Sequence, residues 1–251
     1  KLLSTFKDML DDEREDYEKF WNEFGKTLKE GIYSDMRNRE KLLEVCLFRS
    51  TEDGLVSLQQ YIDRMKEGQK HIYYITGKSH DAVANSPHLE ALRDKGYEVL
   101  LLTDPVDEIW TSQVPEFNGK KLRSAIRGDI DLDAEKTDED SKDTDKETKA
   151  DKEDKSPVLD AIKGNLEQHV KEVRFSHRLT SSPACVVSDE NELTPQLEQI
   201  LRATGQEPPE VKRILEINPD HAIYKKLEKV HEADSDDPRI AEYSELLFGQ
   251  A

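Results

Sequence analysis

Residues 173–221 read VRFSHRLTSSPACVVSDENELTPQLEQILRATGQEPPEVKRILEINPDH. The opening alternates, with Val173, Phe175, His177 and Leu179 on one side and Arg174, Ser176, Arg178 and Thr180 on the other, the period of a half-buried strand. This places His177 on the dry face as a satisfied imidazole. A turn cluster at Thr180–Pro183 separates that strand from the apolar run Ala184–Val187, and a third run follows at Arg213–Ile217. Three short strands predict a small sheet. Between the second and third lies a short helix, with Thr194 as N-cap, Pro195 in its first position and Gly205 as its stop.

Composition bounds the rest. The chain has 251 residues, room for two domains, but 37% of them are charged and the mean hydropathy is -0.84, so each core must be small. A net charge of -18 argues against nucleic acid as a partner, because phosphate recognition wants clustered Lys and Arg. No run is long and apolar enough to make a membrane a partner. Cys46 in LEVCLF and Cys185 in PACVV sit among apolar neighbours and read as reduced, buried thiols, which suits the cytoplasm.

Upstream, apolar residues from Leu2 to Leu28 recur at helical spacing, including the aromatic stripe of YEKFWNEF, with Gly25 or Gly31 as weak points or an end. A further helix is expected over Arg39–Phe48 and a capped one over Ser57–Lys66. His71–Thr76 and Tyr97–Thr103 read as strands flanking a helix that Ser86-Pro87 opens and Gly96 stops. The second is apolar throughout, which predicts parallel strands covered on both faces. Val106–Gln113 is a short helix holding Trp110. Residues 129–155 are Asp, Glu, Lys, Ser and Thr almost without apolar material and read as an acidic, disordered linker. Ser156-Pro157 then opens a helix with the stripe Leu159, Ile162, Leu166 and Val170. The same device recurs at Thr194-Pro195, Asn218-Pro219 and Asp237-Pro238. The fold class is therefore α/β and α+β. A helical segment with a small three-layer α/β subdomain at 1–128 precedes the linker, and a small sheet with helices occupies 156–251.

Catalytic and metal chemistry find little support. Gly77-Lys78-Ser79 lies between a strand and a helix, but a phosphate loop needs a glycine five positions earlier, where Ile72 stands. No His pair has ligand spacing, and no nucleophile elbow occurs. The reading is no catalytic residue and no metal. The alternative is a small-molecule enzyme with its site at the carboxyl ends of the strands at 71–76 and 97–103.

Several long phrases carry a resemblance. VRFSHRLTSSPACVV and ATGQEPPEVKRILEINPDHA look like the C-terminal domain of the ninety-kilodalton heat-shock chaperone family, most closely its bacterial HtpG branch. SLQQYIDRMKEGQKHIYYITG, SPHLEALRDKGYEVLLLTDPVDE and EFNGKKLRS are similar to the later part of that family's middle domain, in the family's order. The resemblance lapses over 129–155. It implies the client-binding and dimerising half of an ATP-driven chaperone, no ATPase by itself, since the sites for ATP and Mg belong to parts of the family that match nothing here. Partners implied are unfolded client proteins, a second copy when full length, and co-chaperones. The helix at 195–203 matches one that the family offers to clients, so the resemblance assigns client contact to Leu193, Leu197, Ile200 and Leu201. Spacing alone also allows that strip to be core. The resemblance assigns client contact to Trp110 as well, which stands beside the family's client-contacting tryptophan, the order here being Asp107-Glu108-Ile109-Trp110 where relatives often read Asp-Glu-Trp. Ile240, Tyr243, Leu246 and Leu247 match the start of the dimerisation helices, cut short at Ala251.

Overall fold

The computed structural model describes residues 1–128, 130, 132, 156–190, 192–209 and 211–251. It divides into two compact units that interleave along the chain. The first comprises Lys1–Ser86, Lys95–Ala125 and Pro195–Gly205, the second Pro87–Asp94, Ile126–Thr194 and Gln206–Ala251. Of the stretch expected as a linker, Ile130 and Leu132 are described, and both are buried. The remainder of that expectation lies outside the described residues.

In the first unit, helices α1 (Leu2–Asp12), α2 (Arg14–Ser34) and α3 (Arg39–Val45) pack together, with the break between α1 and α2 at Glu13. Tyr17 is fully buried and its hydroxyl donates to the Val45 carbonyl at 2.6 Å. Gly25 and Gly31 do not end the helix. A Cβ at Gly25 would stand 2.7 Å from Cε2 of Trp21, so the glycine makes room for the indole one turn earlier. The expected helix over Arg39–Phe48 is shorter: it stops at Val45, Cys46 turns extended, and Leu47–Ser50 forms β1. Val45 to Phe48 is buried without interruption, and a short run of that kind fits a strand with both faces covered as well as it fits a helix.

Further elements of this unit are β2 (Leu55–Ser57), α4 (Leu58–Asp63), β3 (Ile72–Thr76), α5 (His80–Ala84), β4 (Val99–Leu102), α7 (Pro105–Gln113), β5 (Glu116–Phe117), β6 (Lys120–Ser124) and the helix Pro195–Ala203. Ser57 and Gln60 close a reciprocal capping box at the start of α4. The sheet order is β2-β1-β4-β3-β6-β5, in which β3 lies parallel to β4, as the uniform apolarity of Val99–Leu102 predicts, and also to β6. Asn118 and Gly119, both at positive φ, make the tight turn between β5 and β6.

In the second unit, a 3-10 turn at Pro87–Leu89 and α6 (Glu90–Asp94) contribute Leu89 and Leu92, both at 0% exposure. Strands β7 (Val170–Phe175), β8 (Ala184–Val187) and β9 (Arg213–Ile217) form a sheet of order β7-β9-β8, with β7 parallel and β8 antiparallel to the centre. One face packs on helices Pro157–Asn165, Ala222–Ala233 and Arg239–Gln250 through Leu159, Ile162, Leu215, Ile217 and Leu227. The other gathers Leu179, Cys185, Val187 and Ile214. Of the four expected caps, Ser156 holds, its Oγ accepting from the Val158 N–H, while Asp237 Oδ1 accepts from the Arg239 N–H one residue ahead of the N-cap position, which Pro238 occupies. The cap expected at Asn218 is replaced. His221, rather than Asn218, caps the 222–233 helix through Nδ1, while Asn218 Oδ1 accepts from Asp220 in the turn before it.

The alternation read from Val173 to Thr180 is corrected after Phe175. Ser176 Oγ accepts from the N–H groups of Arg178 and Leu179, a local turn that ends the strand. His177 therefore faces solvent, while Arg178 is buried at 1% exposure. Its partner is Glu216 on β9, also at 1%: Arg178 Nε donates to Oε2 at 2.8 Å and Arg174 Nη2 to Oε1 at 2.7 Å. Ser176 Oγ donates to Oε2 at 2.9 Å, and both arginines reach the Gly128 carbonyl.

Glu90 anchors α6. Its carboxylate accepts from the N–H groups of Thr180 (2.6 Å), Ser181 (2.7 Å) and Ser182 (3.1 Å), and from the hydroxyls of Ser181 and Ser182. Burial works to raise its pKa, but these donors outweigh burial and bring it down from 4.5 to about 2. A depressed carboxylate stabilises the fold above its unfolded pKa and loses that contribution as pH falls toward the folded value. The second unit is thus expected to lose stability between about pH 4.5 and 2, and Glu90→Gln to flatten that dependence. Urea midpoints across this range, which would not differ between the two proteins if Glu90 were unimportant, provide the check.

Candidate functional site

Helix α7 is fixed from within. Asp104 precedes Pro105, and its N–H donates to Oδ2 of Asp107 at 2.9 Å. Asp107, at 0% exposure, also accepts from Trp110 Nε1 at 2.8 Å and lies 2.9 Å from Lys29 Nζ. Lys29 reaches Asp104 at 3.0 Å as well. Burial pulls the Lys29 pKa down, but the charges of Asp107 and Asp104 outweigh it and hold the ammonium above its ordinary value. The indole of Trp110 packs against Phe48 with ring centroids 5.4 Å apart and is itself at 0% exposure.

Trp110 is therefore a core residue, correcting the expectation that it is offered at the surface. The physical reason is the displacement by one residue, which on an α-helix is a rotation of about 100°. That rotation carries the indole inward and leaves Ile109 half-buried on the open side. Sequence reasoning passed over Ile109, although the same Asp-Glu-x alignment contained the signal.

The helix Pro195–Ala203 belongs to the same compact unit and lies against α7. None of its residues is buried. Leu197, Ile200 and Leu201 are all half-buried and form one narrow strip, with Pro195, Gln199, Arg202 and Ala203 exposed around it. Leu193 belongs to the second unit and is also half-buried, its carbonyl accepting from Arg213 Nη1.

In the second unit, the helix Arg239–Gln250 uses its apolar residues in two ways. Ile240 (3%) and Leu247 (0%) are core, beside the buried Ser244, whose hydroxyl donates to the Ile240 carbonyl at 2.7 Å. Tyr243 is half-buried under Lys226, whose Nζ stands 5.8 Å from the ring centroid, and Leu246 is 45% exposed. The four residues thus do not share one surface.

A model of the Hsp90 protein family matches residues 1–251. The chain belongs to the Hsp90 family. Among curated relatives, the chaperone protein HtpG of Mycobacterium avium (strain 104) is 47% identical over 253 residues, covering 100% of this chain and 38% of its own length. That of Rhodococcus jostii (strain RHA1) is also 47% identical, over 39% of its length, and that of Mycobacterium tuberculosis (strain CDC 1551 / Oshkosh) is 48% identical over 255 residues. The chain thus spans 38–39% of the length of these relatives. The family match continues through 129–155, where the phrases quoted above had lapsed.

The relatives just named are chaperones by name, and this chain shares their family. Its Gly77-Lys78-Ser79 sequence has a packing explanation, since a Cβ at Gly77 would fall 2.3 Å from Cγ1 of Val83 and Ser79 Oγ caps the short α5. Cys46 and Cys185 are both at 0% exposure, and burial pushes their thiols up, Cys46 to about 12, far from a reactive thiolate. Among the described residues, no group of three His, Cys, Asp or Glu side chains could hold a metal ion, and no helix is long and apolar enough to cross a membrane.

Proposed function

We propose that this part of the chaperone binds unfolded client proteins through Leu197, Ile200 and Leu201, with Ile109 replacing Trp110 on the neighbouring helix, and separately through Leu193 of the second unit. One observation carries the reading: the 195–203 helix has an apolar strip, no fully buried residue and only light packing. A client surface must be apolar yet tolerate many sequences, and half-exposed Leu and Ile on a lightly held helix meet both needs. Leu201→Ala is expected to cost under about 1 kcal/mol, as for a surface substitution, while weakening binding of a fluorescently labelled, permanently unfolded protein. Were Leu201 core, the loss would be about 2–5 kcal/mol with unchanged affinity per folded molecule. A denaturant titration and an anisotropy titration on the same variant separate the two.

The terminal helix is the proposed contribution to a homodimer of the whole protein, through Leu246 and Tyr243, with Ile240 and Leu247 holding the helix on its own unit. ATP and Mg act in the remainder of the protein, which couples their turnover to client handling here and offers surfaces for co-chaperones. A stable interface buries roughly 1,200–2,000 Å², more than one exposed leucine and a half-buried tyrosine can supply. Light scattering of this chain at micromolar concentration is therefore expected to give monomer, and a stable dimer would assign the pairing to another surface.

A further inference from the structure

The first unit also carries a polar crevice, none of whose lining residues belongs to the proposed client strip. A crevice of about 190 Å³ opens at the carboxyl end of β4, the strand that pairs parallel with β3. Lys26 and Lys29 reach it from α2, Arg49 from β1, His80 from the first position of α5, and Thr103 and Asp104 from the end of β4. In an open α/β sheet this is where ligands settle, because loops diverge there and leave a concavity. The volume lies below the roughly 300 Å³ at which pockets for drug-sized molecules begin, so any occupant is small.

Charge narrows the class. The chain carries a net charge of -18, yet three cations line this crevice against the single carboxylate of Asp104. Lys29 is committed, held by Asp104 and by Asp107 behind it. Lys26 is 77% exposed and touches Asp104 only at 3.2 Å. Arg49 is exposed and makes no ion pair among the described residues. We infer that the crevice binds a small phosphate-type oxyanion, with the Arg49 guanidinium and Lys26 ammonium as direct partners and His80 as a further donor. A guanidinium fork matches two oxygens of such an ion, and the two nitrogen donors serve the others.

The charges around His80 make its imidazole sensitive to an anion in the crevice. Its pKa is lowered, first by burial, then by Arg49, with Lys29 adding to the effect and Asp104 and Asp81 opposing it. A bound anion would reverse the balance, which makes His80 an internal reporter.

The test follows the His80 imidazole by NMR in the whole chain, assigned with His80→Gln, during titration with inorganic phosphate. Sodium chloride and sodium acetate at matched ionic strength run in parallel. The expected result is a saturable shift and a raised His80 pKa with phosphate alone. Arg49→Ala should weaken binding about tenfold or more, the loss of one hydrogen bond to a charged group, and Lys26→Ala should weaken it as well. Lys66→Ala, which removes a distant exposed charge, should leave it unchanged. A response to chloride equal to that with phosphate, or equal losses in Lys66→Ala and Arg49→Ala, would reduce the effect to screening and overturn the assignment. Absence of any saturable shift would do the same.

Discussion

Glu216→Ala is expected to cost the second unit about 3–5 kcal/mol, the range found when one partner of a buried ion pair is removed. The carboxylate is the hub of the inner sheet face: Arg178, Arg174 and Ser176 all donate to it, and Arg178 and Glu216 are both at 1% exposure. Without it the buried Arg178 guanidinium loses the acceptor of its Nε. Burial alone would raise the Glu216 pKa, but the charges of Arg178 and Arg174 outweigh burial and hold it below 4.5. Its contribution is therefore complete above about pH 4.5 and is lost as pH falls below that. Glu216→Gln, which keeps the shape and loses the charge, should be intermediate and show a flatter acid limb. Urea unfolding by circular dichroism, with hydrogen exchange at the amides of Arg213–Ile217, measures both. A loss under about 1 kcal/mol for Glu216→Ala would mean that water or a neighbouring oxygen readily replaces the carboxylate.

Trp110→Ala is expected to destabilise the first unit by about 3–5 kcal/mol, as for other large aromatic deletions from a core. The indole is fully buried against Phe48, and its N–H is one of the donors that satisfy Asp107. Truncation leaves both a cavity and an acceptor short of a partner, and Lys29 then carries more of the compensation. Trp110→Phe should fall between, since it refills most of the volume without restoring the hydrogen bond. Trp21 also belongs to this unit, so its fluorescence reports unfolding in either variant. If Trp110→Ala unfolded at the same urea concentration as the parent while losing affinity for an unfolded client, the indole would be a surface group and the buried placement would be mistaken.

These two residues also mark where sequence reasoning stops. The five central strands were legible because each depends on local chemistry: alternation or uniform apolarity, bounded by Pro, Gly, Ser and Asn. The chaperone family was legible because long phrases keep their order. The strip Leu197, Ile200 and Leu201 could be found by spacing, but whether it is covered depends on what lies against it, and spacing carries no such information.

Uniform apolarity and periodicity together determined the parallel pairing of Ile72–Thr76 with Val99–Leu102 and the small sheet of the second unit. They could not determine that Arg178 points inward and His177 outward. A side-chain turn at Ser176 breaks the alternation, and a carboxylate on β9 makes the buried guanidinium tolerable. Nor could they assign Leu47–Ser50 to a strand, because a short buried run fits helix and strand equally until a partner strand supplies its hydrogen bonds. The grouping of 87–94 and 195–205 with units distant in sequence was likewise beyond reach. For the first of these segments the reason is the capture of Glu90 by the amides of residues 180–182, a contact between residues far apart in the chain that no local pattern encodes.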